Sequence, residues 1–301
     1  MAAEIRVGSL NVRAYPNPGR DQIRGLAGII AEQQCDVVLL QECLRPWLEV
    51  VCDATGMNSV HSHTLLPESP PRAFSPDGCA IASRPQIGIG RAWRIAPESF
   101  MPEAVQTRIY EDPPAGFQSM PERLAYRYSG RSILAELAVD GETVVVGSFH
   151  ATPGTGRVAG VAVHEWKPFF HGGVALELAG IATPFVIGID ANEPLSETID
   201  GVRFHWDEER SGVKKLEALL GREPIHRGRD LFREWLAITG RRPATTDVLL
   251  ATYAPSPTFQ RRFDSMWASP DLGLTGFATH LDAVVAAGGD HALLVADLQL
   301  R

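Results

Sequence analysis

The sequence predicts an α/β fold, and three stretches carry that expectation. Residues 5–12 alternate apolar and polar as a strand does, apolar residues recur at helical spacing from Asp21, and 36–40 form a second apolar run. That is a β-α-β unit, which lays its two strands side by side and parallel. Residues 131–139 and 143–149 are two more strand-like runs, joined by Asp140-Gly141 as in a hairpin. The third stretch, PFVIGIDANEP at 184–194, reads as a buried strand that ends in polar residues and is stopped by Pro194.

Composition narrows the class. A chain of 301 residues that is 45% hydrophobic and 21% charged is globular, with a sizeable core. The opening MAAEIRVGSLNV holds no apolar run fit for a signal peptide, and nowhere do 18 apolar residues follow one another. Cys35, Cys43, Cys52 and Cys79 form no CxxC pair, and three of them lie in apolar segments where a thiol is buried and reduced. A reducing cytoplasm is the expected setting. The net charge of −8 argues against a protein that coats nucleic acid by bulk electrostatics. It leaves room for an enzyme that grips one phosphate through a metal and a few arginines. Arginine far outnumbers lysine, and it is the better bidentate phosphate ligand.

Along the chain, the first strand ends at Asn11 and the second at Gln41-Glu42, so parallel pairing brings Asn11 and Glu42 to one edge of the sheet. A glutamate directly after an apolar strand is costly unless exposed or paired. Glu42 is therefore either a metal ligand or a plain strand-end charge. A helix is expected over 46–54, a Pro/Ser-rich surface loop over 61–77 and a short buried strand at 78–83. Residues 97–129, with prolines at 97, 102, 113, 114 and 121, read as long loops of the kind that often bind ligands. The hairpin's second strand ends in His150. Residues 157–181 have a helical pattern, broken at Pro168 and at Gly172-Gly173. Its His164 and His171 do not make HExxH and are read as surface or packing histidines.

The strand at 184–189 delivers Asp190 and Asn192. Side chains two apart on a strand point the same way, so a carboxylate and a carboxamide project together. The pair suits a hard divalent cation or an attacking water, and it is equally good turn chemistry. An insert follows at about 195–260, with helical pieces near 212–220 and 229–238. It carries Trp206 and Trp235 and is locally basic through Arg222, His226, Arg227, Arg229, Arg233, Arg241 and Arg242, either as a substrate arm or as a solvated helical face. Asp264 sits inside a strand at 263–269, another strand lies near 275–280, and Asp290-His291 enters the last at 292–300. Adjacent residues cannot easily bond each other, so a carboxylate that fixes the tautomer and basicity of His291 must come from elsewhere. Gly88-Ile-Gly90 lacks the third glycine and the following helix of a dinucleotide fingerprint.

Taken in order, these pieces resemble the endonuclease/exonuclease/phosphatase superfamily. The matching motifs are SLNV with Asn11, LLQE with Glu42, GCAIAS at 78–83, GRSILAEL at 130–137, GSFHATPG with His150, GIDAN with Asp190 and Asn192, RRFDSMWAS with Asp264, and GGDH with Asp290 and His291. Each is weak alone; eight in order span nearly the whole chain. The resemblance implies one domain over 1–301, a sandwich of two mixed β-sheets with helices on the outer faces (DNase I-like, four layers), and Mg²⁺ or Mn²⁺ as cofactor. It implies Glu42 as the main metal ligand with Asn11 and Asp290 nearby. Asp190 would orient or deprotonate the attacking water, and Asn192 would hold a phosphate oxygen or the metal. His291 would contact the scissile phosphate, steadied by Asp264, with His150 a second phosphate-site histidine and Arg131 near the phosphate.

Ile189 stands where that family usually has glycine and Gly289 where it usually has serine, and neither change removes a functional side chain. His150 argues against the exonuclease III branch. The glutamate that partners this histidine in DNase I-like enzymes has no assigned position in the sequence. The expected activity is metal-dependent cleavage of phosphodiester bonds in nucleic acid. A small phosphorylated metabolite, nucleotide or lipid head group is the alternative substrate, and a non-catalytic binding protein on the same fold is the rival class.

Overall fold

The computed structural model describes residues 3–12, 19–65, 77–95, 130–151, 157–158, 161–162, 167–193, 195–198, 201–204, 211–221, 223–241, 250–256 and 259–301. The expected β-α-β unit opens it. Strand β1 (Glu4–Asn11) is parallel to β2 (Val37–Cys43), and helix α1 (Arg20–Glu32) between them buries Ile23, Leu26, Ala27 and Ile30, one stripe of an amphipathic helix. Helix α2 (Arg45–Thr55) starts with proline in its first turn, where a missing N–H costs nothing. Strand β3 (Asn58–His61), a 3₁₀ turn (Ser62–Leu65), β4 (Gly78–Ser83) and β5 (Gly88–Trp93) follow. The hairpin of β6 (Ser132–Val139) and β7 (Glu142–His150) turns at Asp140-Gly141, with φ of 49° and 90°. Two positive φ values match the right-handed twist of the flanking strands, and glycine takes the larger without strain.

A short ladder of β8 (Arg157–Val158) and β9 (Val161–Ala162) precedes helix α3 (Lys167–Ala179) and strand β10 (Phe185–Asp190). Next come the hairpin β11 (Leu195–Thr198) and β12 (Gly201–Phe204), helix α4 (Ser211–Leu220), strand β13 (Arg229–Asp230) and helix α5 (Leu231–Thr239). The chain ends with β14 (Tyr253–Ser256), β15 (Phe259–Arg261), β16 (Asp264–Ala268), β17 (Leu272–His280), helix α6 (Leu281–Ala286) and β18 (Leu293–Leu300).

These strands build two mixed six-stranded sheets, in the orders β17-β18-β1-β2-β4-β3 and β13-β16-β10-β7-β6-β5. Val7, Val37, Leu39 and Ile81 of the first sheet share one buried core with Ile133, Val144, Val146 and Val186 of the second. The alternate residues face outward. Leu10, Val38 and Leu40 pack under Ile23, Leu26 and Leu48, while Phe149, Phe185 and Ile187 pack under Phe170, Leu178 and Leu219. The result is the expected sandwich of two mixed sheets with helices outside. Its core turns polar at one end. Gln41 donates to Ser148 Oγ at 2.9 Å, Ser148 donates to the Leu40 carbonyl at 2.8 Å, and a Cβ at Gly188 would lie 2.1 Å from Ser9 Oγ. Ser9, Ser148 and Gly188 each precede a candidate site residue by two, so Asn11, His150 and Asp190 share their face, at the mouth between the sheets.

Several expectations change. Over 157–181 the helix begins only at Lys167, and 157–158 pairs with 161–162 instead. Neither supposed break interrupts it. Pro168 lies in the first turn, where no N–H is needed, and Gly172-Gly173 are carried through by the buried packing of Phe170, Val174 and Leu178. Within 61–77 the described residues form the end of β3 and a 3₁₀ turn; 66–76, like 97–129, lies outside the described residues. Gly88-Ile-Gly90 belongs to an edge strand.

In the insert, 229–230 is strand rather than helix and pairs with β16 as the edge of the second sheet. Four of its basic residues, His226, Arg227, Arg229 and Arg233, are committed to the fold, while Arg241 is exposed. Arg227 pairs with Asp271 and the Ala182 and Thr183 carbonyls, Arg229 with Glu234 and the Leu272 carbonyl, and Arg233 with Asp230. His226 is buried between the Phe185 and Trp267 rings. Arg222, Arg242 and Trp206 lie outside the described residues, and so does His164. His171 is a packing histidine, bonded to the Ala191 carbonyl. Cys35, Cys43 and Cys79 are buried free thiols. Among the described residues no helix is long and apolar enough to cross a membrane.

Candidate active site

Three neighbouring strands of the second sheet present three chemically useful side chains in one row. Asp190, the last residue of β10, is the register partner of Asp264 on antiparallel β16 and of His150 on parallel β7. The first sheet brings Asn11 and Glu42 to the same mouth. Asn11 ends β1 beside Gln41, and its Nδ2 crosses to Asp190, donating to Oδ2 at 2.8 Å.

Glu42 reaches the site through a defect in its strand. The pairing of β2 with β4 is irregular between Leu40 and Cys43, and there Glu42 takes a left-handed φ of 48°. Such a conformation costs a non-glycine residue about 1–3 kcal/mol and persists only where its surroundings enforce it. The carboxylate comes to lie 3.2 Å from His150 Nε2. Burial pushes the Glu42 carboxyl up, but the hydrogen bond from His150, with the His291 and Arg131 charges nearby, outweighs it and holds it below the usual carboxylate range. Among the described residues, the carboxylates that His150 Nε2 meets are Glu42, at 3.2 Å, and Asp190, at 3.7 Å.

Asn192 also has a left-handed φ, 49°. It does not share a strand face with Asp190, as the two-residue spacing predicts, because the chain has already turned. Its backbone N–H donates to Asp190 Oδ1 at 2.8 Å, an Asx turn. Its Nδ2 donates to the Ala151 carbonyl at 2.8 Å and lies 3.0 Å from His150 Nε2. The turn rests on Lys167, which donates to the Asn192 carbonyl at 2.8 Å and pairs with the Glu193 carboxylate. Burial lifts Glu193 to about 7 against the pull of Lys167. No motif marked this buried pair.

Arg131 is buried beside His150, with Nη1 2.9 Å from Nδ1 and 3.2 Å from the Ala151 carbonyl. A guanidinium only donates, so Nδ1 accepts and the ring hydrogen sits on Nε2, towards Glu42. Arg131 therefore reaches the site through His150. His291 Nδ1 lies 2.9 Å from Asp264 Oδ2. Burial disfavours a charged ring, but the Asp264 charge and hydrogen bond, with Asp190 and Asp290, outweigh it and raise His291 to about 10. The pair is an imidazolium–carboxylate pair at neutral pH. Thr252, which the sequence did not flag, accepts from the Asp264 N–H at 2.9 Å, and Tyr253 lays its ring 4.7 Å from that of His291.

Among the described residues, Glu42, His150 and Asp190 form one group whose donor atoms lie within 4.8 Å of one another, and Asp190, Asp264 and His291 form another. Asp190 belongs to both. Asp290, adjacent to His291, is in neither. The first group fits a divalent cation: two carboxylates, Asp190 buried and Glu42 half-buried, with the Asn11 amide bonded to Asp190, make an oxygen-rich set for a hard ion. The second is already an ion pair, a form suited to a phosphate oxygen. A groove of about 750 Å³, lined by Arg91, Trp93, Glu136 and Leu176, lies beyond Thr183 at the opposite end of β10 and takes no part in this chemistry.

This sandwich, with carboxylates, carboxamides and histidines converging at its mouth, is that of a phosphoester hydrolase. The model of the endonuclease/exonuclease/phosphatase family matches residues 8–291, and the chain belongs to that family, whose enzymes use divalent metals. Its fold is similar to that of D. rerio TDP2 humanised by 14 mutations, with a TM-score of 0.62 and 13% identity over 98% of each chain. D. rerio TDP2 complexed with a single strand DNA product gives a TM-score of 0.60 and 12% identity, again over 98% of each chain. The human Nocturnin catalytic domain with a bound sulfate anion gives 0.61 and 14%, over 100% of this chain and 96% of that one. At these identities the likeness is one of fold. Among curated proteins, comparison of the sequence finds no match.

Proposed function

We propose that the protein hydrolyses phosphodiester bonds of nucleic acid by in-line attack of water, as a single-domain cytoplasmic enzyme with Mg²⁺ or Mn²⁺ held by Glu42 and Asn11 at the mouth they share with Asp190; Asp290, which the resemblance adds to the ligand set, stands outside the group that Glu42 forms. The observation that carries this reading is the place of Asp190 in both side-chain groups, between a metal-suited pair of carboxylates and a charged histidine. When bound, the cation supplies positive charge to the phosphoryl and leaving oxygens.

The chain's own residues do the rest. Asp190 is oriented at both oxygens, by Asn11 Nδ2 and by the Asn192 N–H, and takes the proton of the attacking water. His291, charged against Asp264, donates to a non-bridging oxygen as negative charge builds there. Asn192 and His150 hold the remaining phosphate oxygens. Arg131 fixes the tautomer of His150 and acts through it. The water oxygen bonds to phosphorus, the opposite ester P–O bond breaks, and the leaving oxygen is protonated from solvent.

The similarity in fold to a protein solved with a single strand DNA product supports the polymer substrate. A second reading, a small phosphoester, has its own support: the net charge is −8, and Arg227, Arg229 and Arg233 are engaged in ion pairs within the fold. The test is hydrolysis of single-stranded DNA, double-stranded DNA, RNA and an aryl phosphodiester with Mg²⁺, with Mn²⁺ and with EDTA, beside Asp190→Ala. Polymer cleavage that disappears with EDTA and in the variant is the expected result. Cleavage of the small ester alone moves the assignment to the second reading. Inertness towards every ester sinks both.

A further inference from the structure

Glu42 lies in β2 of the first sheet and Arg131 immediately before β6 of the second, yet one short segment holds the backbone beside each. His61 Nε2 lies 2.8 Å from the Cys43 carbonyl. A carbonyl only accepts, so Nε2 carries the ring hydrogen, and Nδ1 accepts from the His63 N–H at 3.1 Å. With both ring nitrogens engaged, the ring cannot flip without losing two bonds. Cys43 closes the irregular step in which Glu42 sits, so His61 ties down the carbonyl just beyond that strained residue. One residue later, Ser62 Oγ donates to the Gly130 carbonyl at 2.9 Å, which also accepts from the Cys79 N–H at 2.8 Å. Gly130 immediately precedes Arg131.

The fit leaves no slack. A Cβ at Gly130 would lie 2.5 Å from His63 Cε1, and one at Gly78 would lie 2.6 Å from Ser62 Oγ and 2.7 Å from His61 Cε1. The two rings stack with centroids 5.1 Å apart, and both are buried. His61, Ser62 and His63 thus pin the shoulders of the two residues that flank His150 from opposite sides, Glu42 at Nε2 and Arg131 at Nδ1.

We propose that the His61-Ser62-His63 segment is a positioning brace, which holds Glu42 in its metal-binding attitude through Cys43 and Arg131 against His150 through Gly130. It rests on the metal-dependent reading above. These residues are positioning residues: they act on the site only through the backbone they hold.

The test is Mn²⁺ binding to the EDTA-stripped full chain by calorimetry, with steady-state hydrolysis of an aryl phosphodiester, for wild type, His61→Leu, His61→Gln and Ser62→Ala. Glutamine keeps an N–H donor near the position of Nε2, and leucine does not. Removing a hydrogen bond one step behind a metal ligand costs about 10-fold or more in affinity, so His61→Leu should bind Mn²⁺ that much more weakly and His61→Gln should recover most of the loss. Ser62→Ala should keep its Mn²⁺ affinity and lose about fivefold in kcat/KM, the worth of one hydrogen bond. Wild type and His61→Leu binding Mn²⁺ equally well overturns the brace and leaves the metal-dependent reading standing. No Mn²⁺ binding by wild type overturns that reading, and the brace with it. Should His61→Leu fail to fold by circular dichroism, Ser62→Ala decides, and an unchanged kcat/KM there counts against the brace.

Discussion

Asn11 and Asp190 belong to different sheets, and the 2.8 Å hydrogen bond between them joins the sandwich across its functional mouth. The Asn192 N–H takes the other oxygen of Asp190 at the same distance. A carboxylate held at both oxygens is oriented before any substrate arrives, which is how a fixed general base saves reorganisation at the moment of reaction.

Asp190→Asn keeps the shape of that side chain and removes its ability to take a proton. The expected loss in kcat is about 10²–10⁴-fold, the worth of a positioned general base. The melting temperature should stay near that of wild type, because the amide oxygen can still accept one of the two hydrogen bonds. Equal kcat values for variant and wild type would remove Asp190 from the mechanism.

Asp264→Asn should act through His291. The carboxylate lifts His291 to about 10 against burial, so the ring is charged throughout the neutral range. Without it, burial dominates and the ring loses its proton at lower pH. The alkaline limb of the kcat/KM profile should therefore move towards acid by about one unit or more, each unit being roughly 1.4 kcal/mol of lost stabilisation of the cation. The raised His291 contributes stability that is full below about 6.5, the ordinary histidine value, and fades as pH rises through about 10, while burial lifts Asp264 to about 6, so both partners are charged together only between about 6 and 10. An unmoved alkaline limb would show that another group sets it.

Much of this site could be read from the sequence because its residues end apolar strands. Asn11, Glu42, His150 and Asp190 each follow a buried run, and the resemblance in order assigned the rest. What could not be read is how two of them arrive. Glu42 and Asn192 both sit at left-handed backbone positions, which period-two alternation cannot anticipate. The Glu42–His150 contact joins strands of different sheets, so no local pattern announces it. Lys167, Glu193, Thr252 and the His61 segment lie behind the site, in stretches with no motif. The insert misled for a different reason: a cluster of arginines looks like a basic face until its partners, such as Asp271 and the Leu272 carbonyl, arrive from elsewhere in the fold.

Acid should unfold the protein from a higher pH than carboxylates alone would require. Burial drives His63 and His171 down to about 3, so the folded state keeps them neutral while the unfolded chain protonates near 6.5. The sign follows: stability is complete above about 6.5 and is lost as pH falls from there towards 3, at about 1.4 kcal/mol per pH unit for each such histidine. Urea midpoints between pH 7 and 5 should fall accordingly. His171→Asn should flatten the slope by one histidine's share, and a slope identical to wild type would mean that His171 is protonated in the folded state.

Asp230 and Arg262 test whether the insert is part of the sandwich. Both are buried, and Arg262 Nη2 donates to both Asp230 oxygens at 2.8 and 2.7 Å. Asp230 also caps α5 by accepting from the Phe232 and Arg233 N–H groups. Asp230→Ala removes the cap, worth about 1 kcal/mol, and takes its paired carboxylate from the buried Arg262 guanidinium, a loss that typically costs about 3–5 kcal/mol. The expected outcome is a large drop in the urea midpoint. Asp230→Asn with Arg262→Met keeps the cap and removes both charges, and should recover most of the loss, because a matched apolar replacement of a buried pair is often neutral. Arg262 lies two residues before Asp264, so the same double variant should retain the alkaline limb set by His291 if the pair serves stability alone. If Asp230→Ala melts like wild type, 229–239 is not joined to the second sheet as its pairing with β16 requires.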